Sequence, residues 1–140
     1  MITMRFLLPA LLLAFSGAAP AQTEPPIACN LKALTAAQRA QLKRAGEHAI
    51  AAITASRELS DGYAVRIDAA RASILDVAEW LDLWRRCCPF YEFQIDFHAA
   101  DATLWLSVKG RPGVKEYIPI DSPRLAAKLP APGSGHWELR

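Results

Sequence analysis

Tyr91-Glu92-Phe93-Gln94-Ile95-Asp96-Phe97-His98 alternates apolar and polar residues without a break. A period of two is the pattern of a strand with one buried and one wet face. Tyr91, Phe93, Ile95 and Phe97 are expected on the core side, and Glu92, Gln94, Asp96 and His98 on the other. After a turn at Ala99–Ala102 the pattern repeats, with Leu104, Leu106 and Val108 alternating with Thr103, Trp105 and Ser107. Two strands in succession are therefore expected between Tyr91 and Val108.

Just upstream the period becomes helical. Ile74, Val77, Ala78, Leu81 and Trp84 recur at i, i+3, i+4, i+7 and i+10. Ser73 is the expected N-cap, with Asp76 in the favourable first turn. Asp82 and Arg86 are spaced i, i+4 on the wet face, acid first. Pro89 ends the helix at about Cys88. Further upstream, Ser60-Asp61-Gly62 stands between Ala55–Leu59 and Tyr63–Ile67, which predicts a hairpin. Thr35 and Gln38 have the spacing of a capping box and open a helix to about residue 50. Leu42, Ala45, Ala49 and Ile53 give it a weak apolar stripe. Downstream, Gly110-Arg111-Pro112-Gly113 is a turn into a short helix, Val114–Ile118, and Ser122-Pro123 caps one more helical turn. The Pro- and Gly-containing segment 130–140 reads as frayed.

The order α-β-β-α-β-β-α predicts an α+β domain of two layers. Helices lie on one face of a mostly antiparallel sheet of about four strands. Residues 30–121 carry this single domain, after a lead at 22–29 and before a short helix and tail at 122–140. The chain has 140 residues, 52% hydrophobic and 21% charged, as expected of one globular domain. A net charge of +2 provides no electrostatic footprint for nucleic acid.

Residues 1–21 read as a secretory signal peptide. Arg5 precedes the apolar run Phe6–Phe15, and Ala19 and Ala21 stand in A-x-A spacing before the cleavage point. The apolar run is too short for a bilayer span, and Pro9 interrupts it. The expected location is periplasmic or secreted, with no stable membrane span after signal removal.

Three cysteines then carry the functional question: Cys29 before the first helix, and Cys87 and Cys88 at the end of the second. One reading is a bridge from Cys29 to Cys87 or Cys88, closing a loop of about 59 residues. It leaves a spare thiol that could pair two chains into a disulfide-linked homodimer or meet a protein partner. The other is a soft-metal site, since thiolates select Cu(I), Zn and similar ions. Its ligands would be Cys29, Cys87 and Cys88, with His98 as a fourth. No C-x-x-C is present for thioredoxin-like chemistry, and no G-x-S-x-G for a serine hydrolase. Catalysis has little sequence support. Arg111, Gly113 and Lys115 form a basic turn at a helix N-terminus, a weaker candidate for anion binding.

Arg57-Glu58-Leu59-Ser60-Asp61-Gly62-Tyr63, Arg85-Arg86-Cys87-Cys88-Pro89-Phe90 and Lys109-Gly110-Arg111-Pro112-Gly113-Val114-Lys115-Glu116-Tyr117 occur in that order. The chain resembles a group of small uncharacterised bacterial proteins with R-E-L-x-D-G-Y, R-x-C-C-P-F and G-P-x-G-V-K-E-F segments. An early Cys followed closely by Leu, here Cys29 and Leu31, recurs in that group. The resemblance covers Cys29 to Ile118, and the Cys-Cys-Pro-Phe block is its most specific part. It brings no activity with it. It implies that the three cysteines belong to one framework, and that members without an export signal keep them reduced, which favours thiol chemistry or metal binding. This chain departs in its signal segment and in Trp84, where an acidic residue often precedes the Arg pair.

The expected function is that of an exported protein binding a soft or heavy metal ion through cysteine thiolates. The alternative is a non-catalytic, disulfide-stabilised interaction module of the envelope.

Overall fold

The structure, a computed structural model, describes residues 23–138. The expected signal segment lies outside the described residues. A 3-10 turn at Leu31–Ala33 leads into helix α1 (Ala36–Ala51). Strands β1 (Ile53–Glu58) and β2 (Gly62–Asp68) form the hairpin, and helix α2 (Ile74–Cys87) follows. Strands β3 (Glu92–His98) and β4 (Thr103–Lys109) precede helices α3 (Val114–Asp121) and α4 (Pro123–Ala126) and a short strand, β5 (His136–Glu138).

The helices begin where their caps dictate. Thr35 and Gln38 exchange side-chain and backbone hydrogen bonds in a full capping box at α1. Ser73 and Asp76 do the same at α2. Each box satisfies backbone N–H groups that a helix start otherwise leaves open.

The sheet has the order β3-β4-β2-β1-β5, and every neighbouring pair is antiparallel. Tyr63, Val65 and Ile67 stand opposite Val108, Leu106 and Leu104. All six are buried. With Ile53 and the buried faces of α1 and α2 they make the core, so the α+β architecture matches the sequence expectation. Gly62 is required at the β2–β4 crossing. A Cβ there would lie 2.1 Å from the Val108 carbonyl oxygen.

The differences have physical causes. Strand β3 is an outer strand, and its core side is covered only at the start. Tyr91 is 6% exposed, Phe93 and Ile95 are half-buried, and Phe97 is 45% exposed. The alternation is correct, but an edge strand buries less than its pattern suggests. Helix α2 is rotated from the expected stripe. Trp80 and Cys87 join Val77, Leu81 and Trp84 inside, while Ala78 and Ile74 face solvent. The large ring of Trp80 displaces the small Ala78 from the buried face. Ile53 belongs to β1 rather than to α1. Part of the segment expected to fray, His136–Glu138, pairs with β1 as a fifth strand and gives that edge a partner. Helix α3 runs past Ile118 to Asp121, through Pro119.

Candidate functional site

Pro89 has no N–H to continue α2, so Cys87 is the last helical residue and Cys88 leaves the helix at φ −128° and ψ 69°. The turn separates the directions of two sequence-adjacent side chains. Meanwhile the lead segment is pinned beside them. Asn30 N–H donates to the Cys87 carbonyl at 2.7 Å, and Cys29 N–H donates to the Tyr117 hydroxyl at 3.4 Å.

Cys29 and Cys88 are joined as a disulfide, with Cα atoms 4.5 Å apart. Of the two connectivities open from sequence, the bridge takes Cys88. Cys87 remains a buried free thiol. Its Sγ lies 3.3 Å from the Trp84 carbonyl and 3.5 Å from the Cys88 sulfur. Burial pushes the Cys87 thiol above its ordinary pKa, and the nearby Asp121 charge adds to the shift.

Asp121, at the end of α3, completes the cluster. Its Oδ2 accepts from Trp84 Nε1 and from the Tyr91 hydroxyl, each at 3.1 Å. Burial raises its pKa, and the two hydrogen bonds oppose the rise by favouring the carboxylate. Burial first, and Asp121 second, raise the pKa of the Tyr91 phenol, which stays protonated. Ligand atoms of Cys29, Cys88 and Asp121 all lie within 4.8 Å of one another.

Cys29, Cys87, Cys88 and Asp121 sit in the wall of a cavity of about 650 Å³. Leu42, Ile50, Trp80 and Trp84 form much of the remaining lining. The Trp80 and Trp84 rings stack at 4.9 Å, and Trp84 also meets Tyr91 edge-on. Gly46 lets α1 approach this stack, since a Cβ there would be 2.9 Å from Trp80 Nε1. Leu31 and Ile120 line the same cavity yet are 53% and 72% exposed. Lys43 and Arg124 line it too, and both pair with Glu47.

The structure brings Cys29, Cys87 and Cys88 together and leaves His98 elsewhere. His98 is exposed at the far end of β3, roughly 20 Å of strand beyond Glu92. It belongs to no ligand cluster among the described residues. The strand that follows Cys88 runs away from the site, which removes His98 as a fourth ligand. Nor do the basic residues of the turn converge on a vacant point. Arg111 donates to the Pro25 carbonyl and pairs with Glu24 at 3.2 Å. Lys115 pairs with Glu58 at 2.8 Å and donates to the Leu59 carbonyl. Gly113, at φ 95°, serves as the N-cap of α3. Their cationic groups hold the lead segment and the hairpin in place instead of presenting an anion site.

Sequence reasoning missed Asp121 and Tyr117. Their contact with the cysteines is made by chain folding, not by spacing. One local sign existed: an acidic residue closing a helix opposes the macrodipole. No protein-family model, curated protein or solved structure matches this chain.

Proposed function

We propose that the chain is a small exported protein whose three cysteines bind one soft metal ion when the Cys29–Cys88 bridge is reduced, with Asp121 as the fourth donor. The single observation that carries this reading is the convergence of three sulfurs and one carboxylate at one cavity wall. A tetrahedral thiolate site has metal–sulfur distances of about 2.3 Å, which places its sulfurs about 3.8 Å apart. The Cys87 and Cys88 sulfurs are at 3.5 Å already. Opening the bridge therefore asks for small side-chain rotations rather than refolding.

The bridge itself excludes Cys29 and Cys88 as thiolate ligands while it is closed. A dithiol reductant supplies two electrons and two protons, becomes a disulfide, and leaves two thiols on the protein. Metal binding then displaces their protons. A bridge of this kind persists in an oxidising compartment, which supports the export reading. Titration of the reduced protein with cadmium should give a sulfur-to-metal charge-transfer band that saturates at one equivalent. Replacing all three cysteines by serine should abolish it. An unchanged band in that variant would overturn the reading.

A second reading is favoured by the closed bridge alone. A disulfide joining residues 59 apart stabilises a small domain whether or not a metal ever binds. In that case the chain is a non-catalytic envelope module. It would show one free thiol, one permanent bridge and no metal uptake after reduction.

A further inference from the structure

We infer that the metal taken by this site is one that carries an apolar organic group, an aryl- or alkylmercury cation being the simplest class, with the metal on the cysteine sulfurs and the organic group in the adjoining cavity. The inference rests on the thiolate reading above. It adds to that reading an account of the space beside the sulfurs.

A bare ion has no use for that space. Its coordination sphere extends only a few ångströms, and each retained water takes about 30 Å³. The cavity holds about 650 Å³. Beyond the donors its lining has an apolar part, Leu42, Ile50, the Trp80–Trp84 stack and Ile120, and a charged part, where Lys43 and Arg124 pair with Glu47. Leu31 and Ile120 keep more than half their surface in water although they line this cavity. An organic group lying against them would remove that surface from water.

Charge points the same way. The Glu47 carboxylate is already answered by Lys43 and Arg124. An organomercury monocation on one thiolate is neutral, so it brings no net charge beside the apolar part of the lining. The bonding step is an exchange without redox change. The S–H bond of a cysteine breaks, its proton goes to water, and a sulfur–mercury bond forms. The anion formerly on the metal leaves with its electron pair. The carbon–mercury bond is untouched.

The test is a competition on the reduced full chain against a small monothiol, read by native mass spectrometry. The probes are phenylmercury, methylmercury and inorganic Hg(II). The preference for protein over monothiol should be about tenfold or more larger for phenylmercury than for methylmercury, from the extra apolar area buried. Leu42→Trp, which narrows the apolar part of the cavity and removes no donor, should change that difference and leave Hg(II) binding unchanged. Equal preferences for the two organomercurials, with Hg(II) still bound, would overturn the inference and leave the thiolate reading standing. No binding of any probe beyond that of the triple Cys-to-Ser variant would overturn both. If Leu42→Trp fails to fold, the wild-type ratio decides.

Discussion

The Cys87 sulfur lies 3.5 Å from the Cys88 sulfur, and of these chain neighbours only Cys88 is bridged. The helix end forced by Pro89 produces this arrangement. Cys87 keeps its helical direction and is buried against Trp84, while Cys88 turns out to meet Cys29. One short segment thus holds a structural bridge and a protected thiol against a single cavity. Asp121 closes the group from α3, held by Trp84 and Tyr91.

The bridge should dominate stability. Cys29→Ser removes a cross-link over 59 residues, for which the chain-entropy account gives about 4 kcal/mol. Urea unfolding of the oxidised wild type and the variant should show this loss. Reduction of the wild type without metal should lower stability to nearly the same level. A variant as stable as the oxidised wild type would contradict the assigned connectivity.

Cys87 should be the slow thiol. Its burial and raised pKa both suppress the thiolate. Native, oxidised protein should alkylate about tenfold or more slowly than a free cysteine at pH 8, by intact mass. After denaturation without reductant, one alkyl group should add rapidly. Three additions would show that no bridge exists.

Asp121 should reveal itself in the pH dependence of folding. Its pKa in the folded chain is raised from the ordinary 3.8, so the folded state holds this proton more tightly. Stability from this group is fully present below pH 3.8 and falls as pH rises through the folded-state value. Glu58, Asp76, Asp82 and Asp101 have lowered values and act in the opposite sense, losing stability as pH falls. The difference between wild type and Asp121→Asn isolates the first effect. The variant should gain relative stability as pH rises from about 4 toward neutrality. A difference that is flat with pH would contradict the buried-acid assignment.

Trp84→Phe should keep most of the ring packing and lose the indole donor. Asp121 then keeps only the Tyr91 hydroxyl on its Oδ2. The expected cost is about 1–3 kcal/mol by urea unfolding near neutral pH, and less in acid, where Asp121 is protonated. Equal losses at both pH values would indicate a packing defect alone.

The two capping boxes, the Asp61-Gly62 hairpin and the β3–β4 alternation made the element order legible from local sequence. They are contacts over a few residues, with a fixed spacing for each. What was not legible depends on position in the finished sheet. Phe97 obeys the alternation but sits on an outer strand, so its exposure is decided by helices elsewhere in the chain. His136–Glu138 carries little strand pattern and is ordered by pairing with β1. At the site, the cysteines could be named but not paired. The choice of Cys88 over Cys87 follows from one helix-ending backbone turn. Asp121 is about 30 residues from Tyr91 and 37 from Trp84, beyond any spacing rule.

The central claim is that one set of cysteines serves as a bridge when oxidised and as a metal site when reduced. Native mass spectrometry of the full chain with cadmium, before and after phosphine reduction, tests it most directly. The account predicts no cadmium on the oxidised chain and one tightly held ion on the reduced chain. Cadmium held equally in both states, or in neither, would contradict it.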